Sequence, residues 1–311
     1  MIDRDTKRKI EELAQKIAPG WEVLRIWPLD GGISATMIAF EIRRTDGSTK
    51  KLISRVPGSW ALDHDPNIAG IEFHLLKQLQ EAGLPVPEPI FLDEARTFSS
   101  TLSLVVGYVE GAPEFDPNDM PHYIDRSARQ LFDIHRIDFG GLKGVPKAWD
   151  TVTARINWDV TEPDHPQKDL EIRALLKQVQ PRIKPGPSVF LHGDFWPGNS
   201  IWREGEIVCV IDWEEPHIGD ALYDISITRS ELLFAFGAEA MDAFTTKYQE
   251  LSGIDFENLA FWDLCAALRP MGNFAAWAGS WSELGRDDIS EATMRAAHLE
   301  FVNAALAKLS P

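Results

Sequence analysis

The feature that most constrains this chain is the stretch from residue 189 to residue 224, VFLHGDFWPGNSIWREGEIVCVIDWEEPHIGDALYD. Two short apolar runs within it have the composition of β-strands, Val189–Leu191 and Ile207–Ile211. Asp194 follows the first run, Asn199 comes five positions later, and Asp212 follows the second run directly. The stretch therefore predicts two strands whose carboxyl ends carry a set of polar side chains.

These side chains are of the types that phosphoryl transfer requires. The reaction needs a carboxylate that orients and deprotonates a hydroxyl group, and oxygen ligands that hold Mg²⁺ against phosphates. In the kinase catalytic loop H-R-D-x-x-x-x-N, an Asp and an Asn five positions apart supply both, and a second Asp follows on a later turn. The sequence HGD ending at Asp194 keeps this spacing to Asn199, and Asp212 stands where the second Asp is expected. We therefore predict Asp194 as the catalytic residue and Asn199 and Asp212 as ligands of Mg²⁺.

Other interpretations of the same residues remain open. His192 and Asp194 could cap a turn while Asp212 only ends a strand. His192 and Asp194 could also be the metal ligands of a hydrolase, but that role leaves Asn199 and Asp212 unexplained. A third alternative is a nucleotide-binding sensor or scaffold that has lost catalysis. The presence of all three polar residues in order, each after an apolar run, favours the catalytic interpretation.

The segment HGDFWPGN, followed by IDWE and then GDALYD, resembles the aminoglycoside phosphotransferase and choline kinase group of small-molecule kinases. Those proteins are similar in fold to eukaryotic-type protein kinases but phosphorylate hydroxyl groups of small molecules. The resemblance implies a bilobal, protein-kinase-like α+β fold, with a nucleotide-binding lobe at 1–109 and a helical lobe at 110–311 that carries the catalytic loop and acceptor site. It also implies that Asp220 holds the backbone of the catalytic loop from behind, with His192 as further structural support.

Ahead of this stretch, the sequence predicts an antiparallel sheet of five strands, because apolar residues alternate in short runs separated by turns. The predicted strands are 21–29, 36–43, 51–56, 90–92 and 102–109, and the predicted helices are 4–18 and 67–82. The glycine-rich turn after the first strand has the layout of a phosphate-covering loop. In that loop Gly31, Gly32 and Ser34 would face the nucleotide, although Asp-Gly-Gly is equally a plain hairpin turn.

A cation on the third strand is expected to contact the phosphates and to pair with a Glu on the following helix. The segment LISRVPG resembles the corresponding strand of the family and places Arg55 at this position. Lys51 shares a strand face with Arg55 and is its rival. Glu72 flanks the apolar stripe of the next predicted helix and is the expected partner. The resemblance places the adenine beside the hinge segment that includes Tyr108 and Glu110.

Composition limits which binding partners and which cellular compartment are expected for this protein. The formal net charge of −17 argues against nucleic acid or an anionic membrane as a partner. It does not argue against ATP, because surface charge is screened over about 8 Å at physiological salt. We expect no signal peptide, because the sequence MIDRDTKRKIEEL is charged and has no apolar core. The longest apolar run is far too short to span a membrane. The only two cysteines are interpreted as reduced buried thiols, so we predict a cytoplasmic protein, monomeric or homodimeric.

The remaining chain reads as mainly helical. Helices are predicted from residue 122 and at 167–180, 221–236, 238–252, 256–278 (kinked at Pro270) and 288–309. Acidic residues and tryptophans of the carboxyl-terminal half could border an acceptor site and favour a cation, or could simply solvate helix ends and fill the core. These residues are Glu214, Glu215, Glu283, Asp287, Asp288, Trp277 and Trp281.

The sequence therefore predicts a phosphotransferase that uses ATP, or GTP as the alternative nucleotide, with Mg²⁺. Its acceptor would be a hydroxyl group of a small molecule of the aminoglycoside, macrolide, amino alcohol or sugar type.

Overall fold

The computed structural model describes residues 2–29, 35–140 and 144–309, with the side chains of Trp60 and His64 excluded. The glycine-rich turn that contains Gly31, Gly32 and Ser34 lies outside the described residues, so its contact with a nucleotide stays a prediction. The chain divides into two compact units. The first comprises Met1–Gly111 and Val208–Glu214, and the second comprises Ala112–Ile207 and Glu215–Pro311.

A five-stranded antiparallel sheet is the centre of the first unit. Its elements are α1 (Arg4–Ile17), β1 (Glu22–Pro28), β2 (Ala35–Arg43), β3 (Thr49–Pro57), α2 (Ser59–His64), α3 (Ile68–Glu81), β4 (Pro89–Leu92) and β5 (Leu104–Gly107). The strand order is β1-β2-β3-β5-β4, and each neighbouring pair runs antiparallel. The predicted sheet is confirmed, and the short helix α2 was not predicted.

Alternation along the strands decides which side chains enter the core of this unit. Phe40 of β2 lies opposite Leu52 of β3, and both are fully buried in a cluster with Ile10 and Leu13 of α1. Because successive side chains of a strand point to opposite faces, Arg55, three positions after Leu52, lies on the other face of the sheet. The packing of α1 thus leaves that face available for a functional group.

The second unit is mainly helical. Its helices are α4 (Met120–His135), α5 (Ala148–Asn157), α6 (Asp169–Val179), α7 (Leu222–Phe236), α8 (Ala238–Ser252), α9 (Leu259–Ala267), α10 (Phe274–Glu283) and α11 (Glu291–Leu309). Its strands are β6 (Ser188–Leu191), β7 (Ser200–Arg203) and β9 (His217–Asp220). Strand β8 (Glu206–Val210) begins in the second unit, and its residues from Val208 onward belong to the first unit. The pairs are β6 with β9, antiparallel, and β7 with β8. The prediction of an α+β fold with a helical second part is confirmed.

The structure differs from the sequence prediction at several elements of this unit. The strands β7 and β9 and the helix α5 were not predicted. The helix predicted at 256–278 is two helices, α9 and α10, separated by residues 268–273. Pro270 lies in that break, where its ring and its missing N–H end a helix.

Helix α7 lies in the centre of the second unit. All of its residues from Leu222 to Ala235 are buried, so the helix has no solvated face. It packs against α8, α9 and α11. Charged side chains on such a helix need partners, and Arg229 accordingly binds Asp263 of α9 at 3.1 and 3.2 Å. Among the described residues, no helix combines the length and the apolar character that a membrane span requires.

Candidate active site

The first cluster of predicted functional side chains surrounds Arg55 in the first unit. Arg55 is only 8% exposed. Its guanidinium donates to Glu72 of α3, to Glu214 at 2.5 Å and to Asp212 at 3.2 Å. The structure therefore brings together Arg55, Glu72 and Asp212, three residues that the sequence predicted for a single site, and adds Glu214 to them.

The rival cation Lys51 has different surroundings. Its ammonium group binds the carboxylate of Glu110 at 2.6 Å, and these two residues line a cavity of about 400 Å³ together with Tyr108. The backbone N–H of Tyr108 donates to the carbonyl oxygen of Lys51 at 3.0 Å, so this amide is not the donor that an adenine would meet. Arg55, and not Lys51, is the β3 cation that pairs with Glu72.

The cluster around Arg55 carries more carboxylates than cations. Burial by itself lowers the pKa of Arg55, but Glu72, Glu214 and Asp212 outweigh burial and raise the pKa, so the guanidinium stays charged. Burial raises the pKa of Glu72, against the opposing effect of Arg55. The Asp212 side chain, at 33% exposure, is the most accessible of the three carboxylates. A surplus of negative charge at an accessible carboxylate suits a divalent cation with oxygen ligands.

The backbone at Asp212 is unusual for a residue with a side chain. Its φ is +64°, in the left-handed region that only glycine adopts without steric cost. Such conformations cost on the order of 1–3 kcal/mol and are concentrated at functional sites. The buried Trp213 helps to hold the turn, because its indole N–H donates to the carbonyl oxygen of Val210 at 3.0 Å. The turn at the end of β8 thus gives the Asp212 carboxylate a defined direction.

The second cluster lies in the loop after β6, within the second unit, and contains Asp194. Oδ1 of Asp194 accepts from Nη2 of Arg269 at 2.7 Å, and Oδ2 accepts from Nδ2 of Asn199 at 3.2 Å. The same Nδ2 donates to the backbone carbonyl of Asp194 at 2.9 Å. The amide of Asn199 therefore turns its NH₂ group toward Asp194, and its carbonyl oxygen is the atom that would ligate a metal.

Asp224 at the start of α7 holds this loop from below. Its carboxylate accepts from the backbone N–H groups of His192 at 2.7 Å and Gly193 at 2.8 Å. Nε2 of His135 lies 3.1 Å from the same carboxylate. Burial raises the pKa of Asp224, but the bonds from His135 and Gly193 outweigh it, so the pKa is lowered and the group is anionic.

The prediction that Asp220 holds the catalytic loop was therefore wrong, because Asp224 binds the backbone of that loop and Asp220 binds other segments. Asp220 accepts from the N–H of Gly186 at 2.7 Å and from the N–H of Leu222 at 2.9 Å. It thus fixes the segment before β6 and the first turn of α7. The motif G-D-x-x-x-D contains two carboxylates, and the second one, Asp224, lies beneath the loop because it is on the helix and not on β9.

Arg269 and Glu231 were missed by the sequence analysis. Arg269 lies between α9 and α10, 75 positions from Asp194, and also donates to the carbonyl oxygen of Gly193 at 2.9 Å. Glu231 is buried on α7. Burial, followed by the charge of Asp194, raises its pKa from 4.5 to about 8. No local spacing marks either residue, because Glu231 lies on a helix that is buried on all sides and Arg269 lies after the end of another helix.

Asp287 and Asp288, two of the acids for which the sequence left open a position beside an acceptor, have partners in their own segment. Asp287 accepts from Ser282, and Asp288 binds Arg286 at 2.7 Å, all within one surface segment. Their exposure fits the alternative interpretation, in which they solvate the end of a helix. Trp281 is buried and its ring centroid lies 5.2 Å from that of Trp196, two residues after Asp194. The aromatic residues, and not these acids, thus reach the catalytic loop.

Replacing Gly193 with alanine is expected to displace the catalytic loop. Gly193 has a φ of +85°, and a Cβ atom there would lie 1.7 Å from the carbonyl oxygen of Glu215. Gly253→Ala is a matched control, since Gly253 has a φ of +63° but no atom within 4 Å of its Cβ position. We expect Gly253→Ala to lose about 1 kcal/mol of unfolding free energy and Gly193→Ala to lose clearly more. Equal losses in chemical denaturation would contradict the steric argument.

Replacing Glu231 with glutamine tests the charge of this buried group. Between its unfolded pKa of 4.5 and its folded pKa of about 8, the folded state binds a proton that the unfolded state has released. Stability of the wild type is therefore expected to fall as the pH rises through this range. Glutamine does not titrate, so the unfolding free energy of Glu231→Gln should rise relative to that of the wild type as the pH increases from 5 to 8. The expected change is a few kcal/mol, at roughly 1.4 kcal/mol per pKa unit.

Thermal midpoints at pH 5, 6.5 and 8 would measure the difference for Glu231→Gln. Glu283→Gln is the control, because Glu283 is exposed and its substitution should leave the pH dependence as in the wild type. A constant difference between Glu231→Gln and the wild type over this range would show that Glu231 is ionised in the folded protein.

Solved structures with the same fold include enzymes that act on small molecules. A complex of a thermostable variant of the aminoglycoside phosphotransferase APH(4)-Ia with ADP and hygromycin B matches with a TM-score of 0.66 and 17% identity, over 95% of this chain and 98% of that chain. Choline kinase LicA from Streptococcus pneumoniae matches with a TM-score of 0.60 and 18% identity, over 98% of both chains. At these identities the likeness shows the fold, and the predicted kinase-like α+β architecture is confirmed.

Sequence comparison gives the family. A curated relative is mouse acyl-CoA dehydrogenase family member 10, which is 25% identical over 195 residues. The match covers 57% of this chain and 18% of that protein, so the chain corresponds to less than a fifth of the relative's length. The sequence profile of the phosphotransferase enzyme family matches residues 31–262, most of the chain, and so confirms the resemblance seen in the motifs. This chain belongs to the phosphotransferase enzyme family.

Proposed function

We propose that the protein is a small-molecule kinase, which transfers the γ-phosphate of ATP to a hydroxyl group of a small acceptor. The proposal is supported mainly by the way in which Asp194 is held in this chain, a member of the phosphotransferase enzyme family. Its carboxylate is 27% exposed and is held by Asn199 five positions later, on a loop whose backbone Asp224 fixes from below. This is the geometry that an acid–base group needs, since it is positioned and still accessible.

Asp194 would accept the proton of the acceptor hydroxyl as the oxygen attacks the γ-phosphorus. The bond between the γ-phosphorus and the bridging oxygen breaks, and ADP leaves with that electron pair. Arg55, held by Glu72, would contact phosphate oxygens. Its planar guanidinium can bind two such oxygens at once. Because Glu214 and Asp212 bind the same guanidinium, phosphates would share Arg55 with these carboxylates.

Asp212 and Asn199 would hold Mg²⁺, which when bound supplies positive charge against the phosphate oxygens. Both residues offer oxygen atoms, the ligand type that this cation prefers. Among the residues of known placement, no group of three or more His, Cys, Asp or Glu could hold a metal ion. Two protein ligands are nevertheless sufficient for Mg²⁺, because it usually keeps several waters and phosphate oxygens in its coordination sphere.

The solved structures of this fold support a choice of acceptors to test. They include a complex with hygromycin B, an aminoglycoside phosphotransferase and a choline kinase. Amino sugars, amino alcohols, macrolides and sugars are therefore the acceptors to test first. The hydrolase alternative finds little support, because His192 is fully buried and its Nδ1 lies 3.2 Å from the backbone N–H of Asp194. An inactive nucleotide-binding protein remains the second candidate, because it would keep the same loop.

Thermal midpoints and an ATP-consumption screen together test the proposal. ATP and Mg²⁺ together should stabilise the protein more than either alone, by about 2.7 kcal/mol at a ligand concentration of 100 times Kd. One acceptor of the screen should then support ADP release. Stabilisation by ATP with Mg²⁺ but no turnover with any acceptor would favour the inactive alternative. Stabilisation by the metal alone would favour the hydrolase.

Replacing Asp194 with asparagine should remove the proton acceptor but keep the shape of the site. A general base contributes roughly 10²–10⁴ in rate, so kcat of Asp194→Asn should fall by that order while the KM for ATP changes little. Asp287→Asn is the control for the loss of a carboxylate charge, since Asp287 is exposed and its carboxylate accepts a side-chain hydrogen bond from Ser282, outside the loop that carries Asp194. Steady-state kinetics would measure both variants. A near-wild-type kcat for Asp194→Asn would rule out the assigned role.

Replacing Asp212 with alanine should remove a carboxylate ligand of Mg²⁺. We expect ATP binding to weaken much more with Mg²⁺ present than with a chelator present, because only the first condition uses the ligand. Isothermal titration calorimetry under both conditions would measure the difference. Glu206→Ala, at the exposed start of the same strand, should bind ATP as the wild type does. An equal loss with and without Mg²⁺ would remove Asp212 from the ligand set.

A further inference from the structure

Arg269 is the one side chain described here that contacts both the carboxylate of Asp194 and the peptide just before it. Nη2 lies 2.7 Å from Oδ1 of Asp194, and Nη1 lies 2.9 Å from the carbonyl oxygen of Gly193. The side chain is only 12% exposed, so this double contact takes place largely out of water. A planar guanidinium with two donors set at a fixed separation therefore connects the side chain of Asp194 to its own backbone.

The two oxygens of the Asp194 carboxylate have different partners. Arg269 binds Oδ1, and Asn199 binds Oδ2 at 3.2 Å. A carboxylate held at both oxygens cannot rotate about its bond to Cβ, so its plane is fixed. Each oxygen has a second lone pair, which leaves room for an acceptor hydroxyl. The arrangement thus restricts the orientation of Asp194 without blocking it.

The charge of Arg269 acts mainly on Asp194. Burial by itself lowers the pKa of Arg269, but Asp194, the largest opposing cause, raises it together with Glu215, Tyr223 and Glu231. Burial also raises the pKa of Glu231 to about 8, so this neighbouring carboxyl group is mostly neutral at pH 7. Glu231 therefore competes little for the guanidinium.

We propose that Arg269 is the positioning residue of the catalytic carboxylate, which it locks to the backbone of the catalytic loop in the orientation that meets the acceptor hydroxyl. This inference rests on the proposed kinase function. Reactions between well-oriented groups gain much of their rate from orientation, and a misplacement of about 1 Å can cost 10²-fold. Lysine cannot replace Arg269 fully, because an ammonium group lacks the rigid fork that spans the two acceptors.

Steady-state kinetics of Arg269→Ala and Arg269→Lys would test the positioning role. We expect kcat to fall by about 10²-fold in Arg269→Ala and by an intermediate factor in Arg269→Lys. The KM for ATP should change less than about threefold in both, because Arg269 touches the catalytic loop and no residue assigned to phosphate binding. Guanidinium chloride at low millimolar concentration should restore part of kcat in Arg269→Ala but not in the wild type. Equal kcat in Arg269→Lys and the wild type would overturn the proposal.

Arg229→Ala is the matched control. Arg229 is another buried arginine of the second unit, and its guanidinium binds Asp263 at 3.1 and 3.2 Å in the helical core. We expect this variant to unfold at a lower temperature than the wild type. Below that temperature its kcat should be close to that of the wild type, with no rescue by guanidinium. A similar loss and rescue in Arg229→Ala would show that Arg269 acts only through general stability.

Hydrogen–deuterium exchange provides a readout that does not depend on activity. Amides of the peptide that covers 190–201 should exchange at least about tenfold faster in Arg269→Ala than in the wild type. In Arg229→Ala their exchange rates should equal those of the wild type. If the wild type transfers phosphate to no acceptor while this difference appears, the proposed function fails and the anchoring of the loop stands. If the wild type is active and exchange and kcat are unchanged in both Arg269 variants, only the inference about Arg269 fails. Should Arg269→Ala not fold, Arg269→Lys decides by the same two measurements.

Discussion

The catalytic loop depends on one buried carboxylate. Asp224 accepts hydrogen bonds from two consecutive backbone N–H groups, those of His192 and Gly193, and contacts His135. A buried carboxylate without such partners would cost several kcal/mol. The loop amides therefore stabilise the charge of Asp224, and Asp224 in turn fixes the backbone of the loop. The left-handed backbone of Gly193, with φ of +85°, lets the loop turn over the carboxylate. The position of Asp194 follows from this interaction.

Helix α7 extends that support along the loop. Asp224 holds the two amides before Asp194, and the hydroxyl of Thr228, one turn later, donates to the carbonyl oxygen of Phe195 at 2.8 Å. Positions four apart lie on one face of a helix, so these two residues form a polar stripe that Glu231 continues. The buried helix packs this stripe against the loop. A helix that is buried all round therefore also fixes the backbone on both sides of Asp194.

Local patterns in the sequence predicted part of this arrangement. The resemblance of LISRVPG to the family's strand predicted Arg55 on β3, with Lys51 as its rival, and helical spacing predicted Glu72 beside the apolar stripe of α3. The five-residue spacing predicted that Asn199 would belong to the same site as Asp194. The partners of the loop were not predictable in this way, because Arg269 is 75 positions and Asp224 about 30 positions away from the atoms they bind. Such contacts depend on how helices pack. The sequence showed the break at Pro270 only as a kink, although this break is what presents Arg269.

Both clusters contain a buried guanidinium that binds carboxylates, an arrangement that does little for stability. Removing two charges from water costs as much as their attraction returns in many proteins, and apolar replacements are often equally stable. In one cluster Arg55 binds Glu72, Glu214 and Asp212, which leaves a surplus of negative charge. In the other, Arg269 binds mainly Asp194. Since stability alone would favour apolar side chains at both places, the geometry of the bound groups is the better explanation for these ion pairs. In the proposed function, one pair would hold a cation for phosphates and the other a carboxylate for a hydroxyl group.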